Sequence, residues 1–377
     1  MSKELIPKIR FKGYTEAWEQ RKLLEVADYR NGKAHENDID PNGKYIVVNS
    51  KFVSTEGEII KYSTYRNEPI EENEIAFVLS DVPNGKAIAK TYLIEKSGKY
   101  TLNQRIAGIK PHDDINPKYL SITMNRNKYF LKFDDGVKQT NLSLKDVLKY
   151  ENLYPSKLEQ DKIGSVFENI DNLITLHQRK YDKLLELKKS LLEKMFPKNN
   201  QIYPEIRFNG YAEAWEQRKL SSLSRNVGTG KSKYNISQFN KYAILGSRGV
   251  IGYDNKYDYS GDFILTARVG EYAGELYRYN GNVKITDNTV YIQGDNLDYL
   301  YYLLKQYDLK KLSFGSGQPL VKASELSNLE LKATSDSNEK RKISALFSEI
   351  DNLITLHQRK HEKLIKIKES LLNDMFV

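Results

Sequence analysis

The sequence has 377 residues and no cysteine, which excludes disulfide cross-links and metal sites built on thiolates. Long apolar runs are also missing. The opening residues, MSKELIPKIRF, do not form a signal peptide, and no stretch approaches the length that a bilayer requires. We therefore expect a cytoplasmic protein with no membrane partner.

Motifs for catalysis and for metal or cofactor binding are missing as well. Residues 228–232 (GTGKS) resemble the end of a nucleotide-binding loop, but Arg225 stands where that loop needs its first glycine. The residues FGSG at 314–317 match only part of the cofactor-binding loop of a DNA methyltransferase, and the second motif of such enzymes, Asn/Asp-Pro-Pro-aromatic, is absent from the sequence. The five histidines show no H-E-x-x-H spacing. We therefore expect a chain that is not an enzyme by itself and that holds no metal or cofactor.

Two repeats with different separations organise the sequence. Residues 7–23 and 204–220 differ at only three positions and lie 197 residues apart, whereas IDNLITLHQRK occurs at 170–180 and again 180 residues later, at 350–360. The segments between the repeats show no obvious similarity to each other. The chain therefore combines a duplicated frame with two different variable blocks.

The repeats predict two modules, each a variable block followed by a nearly constant helix. The predicted boundaries are 1–158 for the first variable domain, 159–196 for the first conserved helix, 197–338 for the second variable domain and 339–377 for the second conserved helix.

Both repeated helices carry a coiled-coil seam, in which residues recur at alternating spacings of four and three. Apart from Lys188, Met195, Lys368 and Met375 at the same spacing, the seam consists of Ile170, Ile174, His177, Tyr181, Leu184 and Leu191 in the first copy and Ile350, Ile354, His357, His361, Leu364 and Leu371 in the second. Further apolar residues beside the seam predict more than one partner surface.

The two helices most simply pack on each other. A two-fold axis perpendicular to them would make them antiparallel and would place two inverted variable domains at opposite ends, an arrangement that suits duplex DNA. The seam histidines His177 and His357 allow two interpretations, a metal site or polar residues that set the register. The second is favoured because they have no carboxylate or thiol companions.

The repeat at 7–23 and 204–220 contains the only two tryptophans, Trp18 and Trp215. One interpretation is that they anchor the core where each module meets the helices. The other is that each repeat is a docking surface for a partner protein, with candidate contacts at Trp18, Arg21, Lys22, Trp215, Arg218 and Lys219. One segment could serve both purposes, and two copies would bind two copies of one partner.

The variable blocks show the mixed patterns of α/β domains. Helical patterns occupy 117–130 and 296–311, and Asn280-Gly281 predicts a turn. A net charge of +9 favours a polyanionic partner, and 221–253 holds five basic residues and no acidic one. Candidate phosphate contacts are Arg105, Arg126, Lys128, Arg225, Lys231 and Lys233, although an ordinary solvated surface would look similar.

Each block ends in a loop of glycine and long polar residues, at 136–142 and 315–321. Such side chains can pair with base edges, although a turn that needs glycine for its backbone would explain the same pattern. Candidate base contacts are Lys138, Gln139, Asn141, Arg248, Arg268 and Gln318.

The duplicated segments WEQRKL and IDNLITLHQRK resemble the conserved regions of type I restriction-modification specificity subunits, in the order variable, constant, variable, constant along the whole chain. The resemblance implies an α+β fold with two mixed α/β target recognition domains, separated by a long antiparallel coiled coil with pseudo-two-fold symmetry. It also implies a non-catalytic subunit. Each recognition domain would contact one half of a bipartite, asymmetric DNA site, and the helices would set the spacer.

The resemblance further implies partners that hold the chemistry. Two methyltransferase subunits would use S-adenosylmethionine to modify adenine, and two motor-nuclease subunits would use ATP and magnesium. The alternative is a coiled-coil scaffold whose variable domains bind proteins. Titration on random-sequence duplexes with the methyltransferase present distinguishes the two, because only the scaffold predicts association without a sequence preference.

Overall fold

The computed structural model describes residues 6–198, 201–236, 241–313 and 320–376. It divides into two compact units, which we call unit 1 (Met1–Leu176 with His361–Val377) and unit 2 (His177–Lys360). Each unit therefore combines one variable block with parts of both long helices. These units do not test the predicted division into two variable domains and two conserved helices, which stays a prediction.

Unit 1 is a mixed α/β domain on a helix pair. Its strands are β1 (Glu19–Lys22), β2 (Ala27–Asn31), β3 (Tyr45–Val48), β4 (Tyr62–Ser63), β5 (Pro69–Ile70), β6 (Ile75–Val78), β7 (Ser80–Asp81), β8 (Thr91–Leu93), β9 (Tyr100–Leu102), β10 (Ile106–Pro111), β11 (Thr140–Asn141) and β12 (Glu151–Tyr154). Its helices are α1 (Leu23–Val26), α2 (Ser50–Ser54), α3 (Pro117–Met124), α4 (Lys128–Leu131), α5 (Leu144–Leu148) and the first part of α6 (Lys157–Lys194).

Unit 2 repeats this plan with different strands. They are β13 (Glu216–Lys219), β14 (Asn226–Thr229), β15 (Tyr242–Gly246), β16 (Gly249–Asp254), β17 (Tyr259–Ala267), β18 (Leu276–Ile285), β19 (Thr289–Gln293) and β20 (Glu330–Ala333). Its helices are α7 (Leu220–Leu223), α8 (Leu297–Tyr307), α9 (Ala323–Ser327) and α10 (Ser337–Asp374), with a 3-10 turn at Leu309–Ser313; the last part of α10 belongs to unit 1.

The sheets are where the two units differ. Unit 1 has two four-stranded sheets, ordered β2-β10-β6-β8 and β4-β3-β9-β5, whereas unit 2 has one six-stranded sheet, ordered β14-β19-β17-β18-β15-β16. The central strands are buried on both faces, since β6 is buried at all four positions and β17 at its last five. By contrast, a small ribbon recurs: β1 pairs antiparallel with β12, and β13 with β20.

The structure corrects three predictions of local structure, and in the two helices a single residue redirects the backbone. The helix predicted over 117–130 is broken at Arg126 (φ 52°), and that over 296–311 at Asp308 (φ 62°). The turn predicted at Asn280-Gly281 does not form. β18 passes straight through it, because Gly281 lies opposite Gly261 of β17 and the ladder continues on both sides.

The long helices pair antiparallel within each unit. In unit 1 the rings of Phe167 and Phe376 lie 5.8 Å apart, while in unit 2 the Nδ1 atoms of His177 and His357 lie 2.8 Å apart. All twelve predicted seam residues are buried or half-buried. Neighbouring leucines are not: Leu173 and Leu187 are 42% and 47% exposed. The pairing therefore uses one narrow stripe and leaves a second apolar stripe uncovered in the described chain.

In each unit a buried ion pair ties the repeat that contains the tryptophan to a long helix. Arg10 donates two hydrogen bonds of 2.8 Å to the carboxylate of Glu159 at the start of α6. The equivalent Arg207 donates to Glu339 at the start of α10, with distances of 2.6 and 2.9 Å. The side chains of Glu159 and Glu339 are 1% and 0% exposed. Each pair therefore joins the segment before a variable block to the helix after it.

An aromatic cluster surrounds each tryptophan. In unit 1, Trp18 makes edge contacts with Tyr119 of α3 and with Phe376, which directly follows α10 at Met375–Phe376. In unit 2, Trp215 makes the same kind of contact with Phe196, just beyond α6. Both tryptophans are 2% exposed, so they belong to the cores of their units.

Within the residues that the structure describes, no helix combines the length and the apolarity that a membrane span requires.

We expect Glu159→Gln to lower the free energy of unfolding of unit 1 by about 3–5 kcal/mol, because it leaves the buried Arg10 without its counter-charge. The measurement is denaturant unfolding followed by tryptophan fluorescence in a Trp215→Phe background, where Trp18 reports on unit 1 alone. The control is Glu151→Gln, which removes an exposed pair with Lys22 and should cost less than about 1 kcal/mol. Equal losses of stability in the two variants would show that the buried Arg10–Glu159 pair contributes no more than the exposed pair.

Candidate nucleic-acid interface

Two turns lie side by side in unit 1, because β7 pairs antiparallel with β11. The first turn, 82–87, is closed by Asp81, whose carboxylate accepts the backbone N–H groups of Val82, Ala87 and Ile88 at 2.8, 2.6 and 3.0 Å. Gly85 permits this closure, since a Cβ atom there would lie 2.1 Å from Asp81 Oδ2. We call this turn and its neighbour, 135–139, the paired turns.

The second of the paired turns is closed in the same way. The carboxylate of Asp135 accepts the backbone N–H groups of Val137 and Lys138 at 2.9 and 3.0 Å. These hydrogen bonds, that from Lys138 first, hold the pKa of Asp135 below its usual range. The side chain of Asn84 then donates across to the carbonyl of Gly136 at 3.2 Å, which links the two turns.

The paired turns present side chains suited to base edges. Val82 and Val137 are 64% and 76% exposed, and apolar groups of this kind contact the methyl group of thymine. The side-chain amide of Gln139 donates to Ser80 Oγ at 2.7 Å, which orients it while it remains accessible. Lys138 and Asn141 are exposed beside it. The structure thus brings together the three candidate base contacts of the first block.

Unit 2 has a related arrangement with different residues. Val269 and Leu320 form an antiparallel bridge, and the N–H of Val321 donates to the carbonyl of Arg268 at 2.8 Å. The guanidinium carbon of Arg248 lies 3.9 Å from the ring centre of Tyr272, in the turn that follows Arg268. Arg248 and Arg268 therefore flank one turn, whereas the candidate Gln318 lies outside the described residues.

The candidate phosphate contacts fall into two groups. Arg105 and Lys128 of unit 1, and Lys231 and Lys233 of unit 2, have exposed side chains. The two remaining arginines already bind protein groups. The guanidinium of Arg126 donates to the carbonyls of Gly85 and Ile88 at 3.2 Å, so it supports the first of the paired turns. That of Arg225 forms an exposed ion pair with Asp295 at 2.7 Å.

The basic candidate docking residues lie on the recurring ribbons. Trp18 and Trp215 directly precede the ribbon strands and are buried, which leaves the basic residues as the accessible members of each copy. Arg21 pairs with Asp114 at 2.5 Å, and Arg218 pairs with Glu216. Lys22 and Lys219 are exposed at equivalent positions.

Several residues of this surface cannot be recognised from the sequence. Val82 and Asn84 lie more than fifty residues from the loop that they join, and only the β7–β11 pairing brings them to it. An Asn-Gly pair at 84–85 marks a turn there. It does not reveal which loop the turn contacts.

In the described part of the chain, no group of three or more histidine, aspartate or glutamate residues is arranged to hold a metal ion. The seam histidines His177 and His357 contact each other and form a group of only two.

Comparison with known proteins agrees with this architecture. The model of the type I restriction modification DNA specificity domain matches twice, at residues 15–186 and 212–366. The type I restriction enzyme MjaVIII specificity subunit of Methanocaldococcus jannaschii is 24% identical, covering 95% of this chain and 92% of that protein. A putative MjaX specificity subunit of the same organism is 22% identical with the same coverage.

A solved structure is similar over almost the whole fold. The crystal structure of the type I restriction-modification system S subunit from M. genitalium covers 99% of both chains with a TM-score of 0.71 at 15% identity. Together with the double match of the family model, this likeness confirms the predicted α+β class, with two mixed α/β domains and long helices.

We expect Gly85→Ala to open the first of the paired turns, because the new methyl group would collide with the Asp81 carboxylate. Hydrogen exchange at the amides of Val82, Ala87 and Ile88 should accelerate, since these amides lose their acceptor. Gly98→Ala is the control: it strains a positive φ in another loop but meets no atom within 4 Å. Unchanged exchange at the three amides would show that Asp81 does not close this turn.

Proposed function

Because this chain belongs to the family of type I restriction-modification DNA specificity domains, we propose that it gives a type I system its DNA sequence specificity through two unlike recognition domains. Each domain contacts one half of a bipartite, asymmetric site. The chain does no chemistry on DNA itself and directs partner subunits to the site.

The observation that carries this proposal is that the two units present different side chains around their turns. Unit 1 offers Gln139, Lys138 and two exposed valines on its paired turns, whereas unit 2 offers Arg248 and Arg268 around one turn. Glutamine matches the donor and acceptor pattern of adenine, and arginine that of guanine. Two different surfaces on one repeated frame favour two different half-sites.

The long helices are proposed to set the number of base pairs between the half-sites. α6 and α10 have 38 residues each, and each helix contributes to both units. A continuous helix resists bending and has a fixed rise per residue, so its length can fix the distance between the two half-sites.

The partners are proposed to be two methyltransferase subunits, which use S-adenosylmethionine on adenine, and two motor-nuclease subunits, which use ATP and magnesium. Two copies of the ribbon with exposed lysines support two equal docking sites. The uncovered apolar stripe beside the seam supports a helical contribution from a partner.

Gln139→Ala and Lys128→Ala test the division between base and phosphate contacts. Gln139→Ala should relax the preference at one base pair by roughly 1–3 kcal/mol, because it removes a base contact. Lys128→Ala should weaken binding to all duplexes alike, because it removes a phosphate contact. It should also lower the slope of log affinity against log salt concentration by about one. Affinities are measured on cognate and scrambled duplexes with the partner subunits present. Identical behaviour of the two variants would contradict the assignment.

Lys22→Glu and Lys219→Glu test the two docking sites. Either substitution alone should leave a complex with one methyltransferase subunit, and the double variant should bind none, because each reverses the charge on one ribbon. Native mass spectrometry counts the subunits. The control is Lys12→Glu, outside the ribbons. Two bound subunits in both single variants would place the docking sites elsewhere.

A further inference from the structure

A carboxylate in unit 1 joins three elements. Asp171 of α6 accepts a hydrogen bond from Lys118 of α3 at 2.8 Å through one oxygen, and from Lys368 of α10 at 2.6 Å through the other. Asp171 therefore connects both long helices to the recognition domain. We call these three residues the Asp171 junction.

Unit 2 has the same kind of junction at the equivalent carboxylate. Asp351 of α10 accepts from Lys188 of α6 through one oxygen and from the hydroxyl of Tyr302 in α8 at 2.8 Å through the other. Asp351 and Lys188 are the repeat equivalents of Asp171 and Lys368, each 180 residues away. We call this second set the Asp351 junction.

The third member of each junction is not repeated. Lys118 lies in the first turn of α3, whereas the residue 180 positions before Tyr302 is Ile122, one turn further along α3. The helix contacts differ as well. A Cβ atom on Gly164 of α6 would lie 2.7 Å from Asn116, which caps α3, and the equivalent residue of α10 is Ser344. Each recognition domain is thus attached to the same frame through its own residue.

The environment of the junctions strengthens these bonds. The side chains of the two aspartates and three lysines are only 23–33% exposed. Burial opposes ionisation of Asp171, but the hydrogen bonds from Lys118 and Lys368 outweigh it and hold the pKa of this carboxyl below its usual range. The junctions therefore differ from freely solvated surface pairs, whose contribution is small.

We propose that Asp171 and Asp351 are positioning residues for DNA specificity, each of which fixes the placement of its recognition domain on the paired helices. This inference rests on the proposed function. The carboxylates touch no base. They determine instead how strictly the distance between the two half-sites is held, with Lys118 and Tyr302 as the domain-specific attachment points.

The test uses the full chain assembled with its methyltransferase subunits. The targets carry the two half-sites of the wild-type complex with the spacer lengthened or shortened by single base pairs. The variants are Asp171→Asn and Asp351→Asn, together with Tyr302→Phe and Lys118→Met, which keep most of the side chain should an aspartate variant fail to fold. Asp182→Asn is the matched control, because Asp182 is an exposed acid on α6 that contacts only its neighbour Gln178 in the hydrogen bonds described.

The quantity measured is the ratio of methylation at shifted spacers to methylation at the original spacer. We expect this ratio to rise about tenfold in the junction variants, because one hydrogen bond to a charged group is lost. The base preference within each half-site should stay unchanged, and Asp182→Asn should behave as wild type. A merely structural role would lower activity at all spacers together.

Two results would overturn the junctions' role. One is wild-type spacer discrimination in folded junction variants, and the other is a broadened base preference at an unchanged spacer. The wild-type complex separates this claim from the proposed function. If it shows no two-part preference at all, the proposed function is wrong and the positioning role falls with it.

Discussion

The buried pairs Arg10–Glu159 and Arg207–Glu339 are the constraint on which the rest of the structure depends. Each is bidentate, each glutamate is almost inaccessible to solvent, and each joins the start of a module to the helix that ends it. A charge removed from water requires such a partner. Both ends of a variable block are therefore held at one place, whatever lies between them. This explains the unequal repeat separations: 197 minus 180 is 17 residues, the difference in length between two blocks closed by the same bond.

The closed frame allows the blocks to differ in architecture as well as in length. One contains two four-stranded sheets and the other a single six-stranded sheet, yet each positions a helix against the tryptophan of its own unit, α3 against Trp18 and α8 against Trp215. Variation extends to the residues that attach each domain to the frame, Lys118 in unit 1 and Tyr302 in unit 2. In unit 1, closure by the carboxylates of Asp81 and Asp135 holds the paired turns in shape before any ligand binds.

The sequence predicts the duplicated parts far better than the variable parts, for a physical reason. A helix and its seam are local patterns, so the seam from Ile170 to Leu191 can be recognised without the fold. The strand order, the contact between Asn84 and Gly136 and the bond between Arg10 and Glu159 depend on residues distant in sequence. The break at Arg126 shows the limit even for local structure, since the surrounding packing selects a left-handed conformation that helix propensity opposes. The assignments of single residues to bases or phosphates stay predictions.

We propose that one repeated frame carries two unlike recognition domains and that the DNA site therefore has two unlike halves. The most direct measurement is a genome-wide map of methylated adenines in cells with this gene and in cells without it. We expect methylation at a single two-part sequence with different halves and one spacer length, and we expect it to disappear when the gene is deleted. A palindromic site, or a methylation pattern that survives the deletion, would contradict it.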